Sequence, residues 1–317
     1  MKLLPMNKRD IKVKAEGQKS SPAELVGALH AAFGEHHARA VHAKGIILEG
    51  TFKPSREASE ITKAFHLQKE TSKVIVRFSD FTGIPSISDS SPLANPRGFA
   101  IKFQMNDGRS TDIVGHSFNG FPTANSDQFK ELLLAIATSG EGAESPTALD
   151  KFLESHPIAK TFLTTQKNPS SYASMNYFGV NSFKFTNNDN ESVFVRYQFL
   201  PENGEDFLSK DQMTQMGNDY LQDEIRKRIS KGAFRFQFYA QLAAESDKIE
   251  DPSIAWPSTR KVVQLGIIEI EKISDNSTVA DNTLVFIPSN LPEGIETADP
   301  MLDLRGAAYP ISFKERN

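Results

Sequence analysis

The stretch AFRFQFYAQLA, residues 233–243, alternates without a break. Phe234, Phe236, Phe238 and Ala240 fall on one side, and Arg235, Gln237 and Tyr239 on the other. A β-strand turns successive side chains to opposite faces, so this segment reads as a strand with one phenylalanine-lined face toward a core. Seven further strands follow from similar patterns. VHAKGIILEGTF (41–52), KVIVRFSDF (73–81), RGFAIKFQM (97–105) and STDIVGHSF (110–118) lie in the first half, with NDG (106–108) as a hairpin turn between the last two. NYFGVNSFKFTNNDNESVFVRYQFLPENG (176–204) holds two strands around a polar turn, and RKVVQLGIIEIEKI (260–273) is the last.

Helical patterns surround these two groups of four. SPAELVGALHAAFG (21–34) has Ser21 as N-cap, Pro22 in the first turn and Leu25, Leu29 and Phe33 every four residues. SDQFKELLLAIATSG (126–140), SPTALDKFLESHP (145–157) and DEIRKRISKG (223–232) also read as helices. Many strands without a βαβ rhythm predict an α+β protein built on a closed eight-stranded antiparallel β-barrel with helices around it. One domain is expected over residues 21–317, behind a loose Lys-rich arm at 1–20.

Composition removes several function classes. The 317 residues carry a net charge of −4, with 36 basic and 40 acidic side chains and no basic stripe, so a nucleic-acid partner is not expected. No run of 18 apolar residues exists to span a membrane. Residues 1–20 lack an apolar core, so a cytoplasmic location is expected, or a periplasmic one had a leader been removed. The absence of cysteine excludes disulfides, thiolate catalysis, iron–sulfur clusters and cysteine-ligated haem. Phenylalanine dominates the aromatics, at 23 against 6 Tyr and one Trp, which suits a packed interior or a flat apolar ligand.

Chemistry concentrates at the two ends of the chain. In ARAVHAKGIILEG (38–50), His42 stands early in an expected strand with Arg39 three residues before it. VRFS (76–79) adds Arg77 and Ser79, and NPRGFAIKF adds Arg97. Arginine near buried strands needs an anionic partner, either a core carboxylate or a bound carboxylate or phosphate. Near the other end, DLRGAAYPISF (303–313) spaces Arg305 and Tyr309 four apart, on one face of a helix.

These segments resemble the haem catalases. RAVHAKG is similar to the family's distal-histidine motif, and VRFS and NPRGFAIKF follow in the family's order. DIVGHSFNGFP (112–122), the strands at 177–199 and 235–243, IAWPSTRKVVQLGIIEIEKI and IPSNLPEGIETADPMLDLRGAAYP continue the likeness to about residue 311. The resemblance implies haem b with Tyr309 as the iron ligand, and Arg305 favouring its phenolate. It implies His42 as the acid–base group that moves the peroxide proton toward an oxoferryl product, with Ser79 orienting the imidazole. Arg39, Arg77 and Arg97 are candidates for haem propionates or for support of Arg305, the first two being favoured as propionate partners. Phe121 and Phe129 are expected against the haem. The second distal group is His116 by ungapped counting and Asn119 by residue type, with chemistry leaning to Asn119.

The implied activity is a peroxidase using hydrogen peroxide or an organic hydroperoxide with an organic electron donor, and a weak catalase reaction. The chain ends eight residues after Tyr309, where ordinary members of the family continue and also begin with a longer arm. The expectation is a wider channel open to organic donors, and a monomer or homodimer. Two other readings stand beside this one: a hydroperoxide-rearranging haem enzyme on the same barrel, and a non-catalytic haem-binding barrel. The pair His42 and Tyr309 argues against the last, since binding alone needs no distal acid–base group.

Overall fold

The structure, a computed structural model, describes residues 20–316. The expected arm at 1–20 therefore lies, apart from Ser20, outside the described residues. Among the described residues nine strands form: β1 (Gly45–Pro54), β2 (Ser72–Ser79), β3 (Gly98–Gln104), β4 (Ser110–His116), β5 (Tyr177–Thr186), β6 (Ser192–Pro201), β7 (Phe234–Leu242), β8 (Val262–Ile273) and β9 (Ile295–Thr297). They hydrogen-bond in the order β4-β3-β2-β1-β8-β7-β6-β5, all antiparallel, and β4 meets β5 at His116 and Phe178. That contact closes the eight-stranded barrel. The short β9 adds to the other end of β5, through Phe183, Lys184 and Phe185.

Closure needs curvature, and register shifts supply it. The β1–β8 ladder slips between Glu49 and Gly50, the β5–β6 ladder between Gly179 and Phe183, and the β7–β8 ladder between Phe238 and Tyr239. An extra residue on one strand bends it and increases its twist. Inside, the alternating phenylalanines meet. Phe238 stacks on Phe199 at 4.6 Å and lies 5.9 Å from Phe52 and 5.5 Å from Tyr197. The barrel is thus filled with aromatic rings rather than hollow.

Helices cover the barrel: α1 (Pro22–Phe33), α2 (Ala58–Ile61), α3 (Ser126–Ala137), α4 (Ala148–Ser155), α5 (Pro157–Thr164), α6 (Lys210–Met213), α7 (Tyr220–Ile229), α8 (Ser277–Thr283) and α9 (Pro300–Lys314). Ser21 and Glu24 close a reciprocal capping box on α1, whose buried Leu25, Leu29 and Phe33 pack toward α3 and α9. One sequence expectation changes. His42 is not on a strand; β1 begins three residues later. The helix ending at His156 is followed at once by α5, because Pro157 occupies a first helical position as readily as it stops a preceding helix. Among the described residues, no helix is long and apolar enough to cross a membrane.

Phe238 is fully buried and central to this ring cluster. Phe238→Ala is expected to lower unfolding stability by about 3–5 kcal/mol in urea titration. A loss below about 1 kcal/mol would mean that the barrel interior is not packed around it.

Candidate active site

The C-terminal helix presents the first half of the site. Asp299 caps α9, with Oδ1 accepting from the Met301 N–H at 2.9 Å. Its other oxygen, Oδ2, accepts from Asn181 Nδ2 at 2.6 Å, and Asn181 Oδ1 accepts from Arg305 Nη1 at 2.6 Å. Arg305 Nη2 in turn donates to Tyr309 Oη at 3.3 Å. The helical spacing read from the sequence therefore brings guanidinium and phenol together. Asn181, on β5, ties the pair to the barrel.

The second half stands at the barrel's mouth. His42 has φ 58°, a left-handed conformation uncommon outside glycine. Its N–H donates to the Phe81 carbonyl at 2.8 Å. Its Nδ1 lies 3.0 Å from the Asp80 carbonyl oxygen and 3.1 Å from Ser79 Oγ. A carbonyl only accepts, so this contact puts the proton on Nδ1 and leaves Nε2 as the basic nitrogen. Gly98 makes the arrangement possible. A Cβ there would lie 2.3 Å from Ser79 Oγ and 2.6 Å from His42 Nδ1, distances no carbon can hold.

His116, at the end of β4, is buried and lines the same cavity. Its Nδ1 accepts from the Phe118 N–H at 3.3 Å, which places its proton on Nε2. That nitrogen is buried with no partner among the described residues. Asn119, which residue type had favoured, sits half-buried in the following loop and does not line the cavity. The ungapped count, not chemical similarity, identifies the residue that reaches inward. Burial pushes the His42 imidazole down to about 3, with the positive charge of Arg77 and the neighbouring His116 adding to it. Burial, then Arg305, pushes His116 down to about 3 as well. Both rings are neutral at pH 7.

Arginines form a third part. Arg39 Nη1 donates to Asp281 Oδ1 at 2.7 Å, and Arg77 grips the same carboxylate through Nε and Nη2. Gly45 gives Arg77 room, since a Cβ would stand 2.4 Å from its Nη2. Arg316 also lines the cavity, and it shares the Leu284 carbonyl with Arg39. Arg97 does not join them. It is fully buried behind the site, paired with Asp80 and bonded to the Asp89 carbonyl at 2.5 Å. Its partner is the core carboxylate, the plainer of the two alternatives for a buried arginine.

His42, His116, Arg39, Arg77, Arg316, Arg305 and Tyr309 line one cavity. Leu25, Val26 and Leu29 of α1 complete its apolar wall with Phe121, Phe129 and Phe162. Of the residues singled out from sequence, His42, Ser79, His116, Arg39, Arg77, Phe121, Phe129, Arg305 and Tyr309 all line it. Gly98, Asn181, Asp281 and Arg316 were not singled out. Only Gly98 carried a local signal, lying inside NPRGFAIKF beside Arg97.

The donor set fits haem. Tyr309, hydrogen-bonded by Arg305, would supply an oxygen ligand to its iron. The guanidiniums of Arg39, Arg77 and Arg316 face a single carboxylate, Asp281, which suits a flat apolar group with two acidic tails.

The chain matches the family model for catalase over residues 33–317. It is 32% identical to a catalase-related peroxidase of Mycolicibacterium paratuberculosis, over 93% of this chain and 95% of that one. It is 30% identical to a catalase-related peroxidase of Synechococcus elongatus, over 93% of this chain and 88% of the relative. Among solved structures, a fungal catalase superposes with a TM-score of 0.78 at 22% identity, covering 88% of this chain and 59% of that one. Catalase A from Saccharomyces cerevisiae gives 0.77 at 22% identity, with 88% and 61% covered. The likeness to these two is one of fold, and the chain spans about three fifths of their length.

The depressed imidazoles make a prediction independent of any ligand. In side-chain nitrogen NMR, His42 and His116 are expected to show no protonation between pH 8 and pH 5. A midpoint near the ordinary 6.5 for either ring would contradict the buried, cation-flanked site.

Proposed function

The chain belongs to the catalase family, and from that premise we propose that it is a haem-dependent peroxidase. It would reduce hydrogen peroxide or an organic hydroperoxide with electrons from an organic donor, with a weak catalase reaction beside it. The observation that carries this reading is one cavity holding both the Arg305–Tyr309 pair and a neutral His42 whose Nδ1 proton is already committed. The two relatives called catalase-related peroxidase support it.

Tyr309 would hold the iron of haem b, Arg39, Arg77 and Arg316 its propionates, and Phe121 and Phe129 its ring. When bound, haem supplies the redox chemistry: two electrons to the O–O bond, later recovered from the donor. The side chains handle the protons. His42 Nε2 takes the proton from one peroxide oxygen and delivers it to the other, which leaves as water or alcohol. Throughout, Nδ1–H stays on the Asp80 carbonyl and Ser79 limits the ring's rotation. His116 Nε2–H donates a hydrogen bond to the peroxide, the role that residue type had offered to Asn119. Arg305 donates to Tyr309 Oη and so orients the oxygen that would meet the iron.

Ferric haem should give the wild-type chain a high-spin Soret spectrum, and Tyr309→Phe should lose or strongly alter it. His42→Ala should keep haem but react with one equivalent of peroxide roughly 10²–10⁴ times more slowly in stopped flow. An unaltered rate in His42→Ala would remove the acid–base assignment. Consumption of an organic hydroperoxide should require an added organic donor, whereas hydrogen peroxide alone should disappear only slowly through the catalase reaction. Steady loss of a lipid hydroperoxide without any donor would replace the peroxidase with a rearranging enzyme.

A further inference from the structure

The arginine edge of the cavity is incompletely neutralised, and the distribution of its hydrogen bonds is uneven. Each guanidinium offers five N–H groups. Arg77 spends Nε and Nη2 on Asp281, and Nη2 also reaches the Ala43 carbonyl at 3.2 Å. Arg39 spends Nη1 on Asp281 and Nη2 on the Leu284 carbonyl at 3.0 Å. Arg316 spends Nη1 on Leu284 at 3.2 Å, and its buried Nε has no partner among the described residues. Arg77 Nη1 and Arg39 Nε likewise make no hydrogen bond among the described residues. Three cations thus meet one internal anion, leaving two positive charges and several N–H groups over.

We propose that Asp281 is the positioning carboxylate of the propionate site, fixing Arg39 and Arg77 so that their remaining N–H groups receive the two carboxylates of haem. The assignment rests on the haem reading above. Asp281 does not touch haem in this role; it acts through the two arginines. Its own position is secured by the barrel, because Ser277 Oγ at the start of α8 accepts from the Ile47 N–H of β1 at 3.0 Å. Arg39 needs such a partner. Burial, then the nearby Arg77, pushes its guanidinium down to about 8, and Asp281 opposes both effects. Without the carboxylate the two long side chains repel each other, and rotamer freedom carries them off the geometry that bidentate recognition requires. The charge count also closes only with Asp281 included, at three guanidiniums to three carboxylates.

The test compares haem with its dimethyl ester, in which both acidic tails are neutral. Each is loaded onto the full chain, and transfer to an excess of a haem-acceptor protein is followed in the Soret region. Asp281→Asn is expected to release haem at least about tenfold faster than wild type, the scale typical of losing a partner behind a ligand. With the dimethyl ester the two proteins should release the ligand at the same rate. A general loss of structure would instead speed both ligands, and that outcome overturns the proposal, as does unaltered or slower release of haem. Should Asp281→Asn fail to fold, Asp281→Glu, which keeps the charge and shifts its position, takes its place with the same two ligands and the same criterion. If wild type takes up neither ligand, the haem reading itself fails and this inference with it; if haem binds but Asp281 is without effect, only the inference fails.

Discussion

The hydrogen bond between His42 Nδ1 and the Asp80 carbonyl joins the site to the fold. Asp80 follows directly on β2, and its N–H donates to the Lys44 carbonyl at 2.9 Å. Its side chain is locked in the core by Arg97 and by the Tyr172 hydroxyl at 3.1 Å. Lys44 extends this buried network to Asp89 at 2.5 Å. The imidazole therefore takes its orientation from a charge cluster it never touches. Arg97 belongs to that cluster, so its contribution to the site is indirect. Breaking a buried pair of this kind costs about 3–5 kcal/mol, since the remaining charge has no water to turn to. Such a cost makes Asp80 a rigid reference for the proton.

The same cations that suit acidic ligand groups also set the protonation of the histidines. Arg77 keeps the proton off His42, and Arg305 keeps it off His116, each adding to the effect of burial. Neutral imidazoles then divide the work by tautomer. His42 offers a base at Nε2 because a carbonyl claims its Nδ1 proton, and His116 offers a donor at Nε2 because a backbone N–H claims its Nδ1 lone pair. One acceptor and one donor in the same cavity match a molecule with adjacent oxygens, one losing a proton and the other gaining it. Ser312 Oγ accepts from the Ala40 N–H at 3.2 Å, tying α9 to the segment that carries His42.

Much of this was legible in the chain itself. Period-two phenylalanines gave the barrel, because a strand with one buried face must alternate. Arg305 and Tyr309 were legible because helical spacing is local. The left-handed turn at His42 was not, since its backbone N–H is held by the Phe81 carbonyl and its imidazole by the Asp80 carbonyl, nearly forty residues away. Asp281 lies in a polar run, SDNSTVADNT, where nothing local separates it from a solvent-facing aspartate. Its meaning comes from two arginines more than two hundred residues earlier. Asn119 attracted attention through side-chain chemistry, whereas it is His116, at the end of β4, that lines the cavity. The missed features are those that depend on which distant segments the barrel brings together.

In the proposed reading Tyr309, held by Arg305, is the protein's ligand to iron in the cavity that also contains His42. Resonance Raman spectroscopy of the haem-loaded chain, excited in the phenolate-to-iron charge-transfer band, tests it most directly. Enhanced tyrosinate ring modes are expected, and they should vanish in Tyr309→Phe. A spectrum without tyrosinate modes, or one that Tyr309→Phe leaves unaltered, would contradict it.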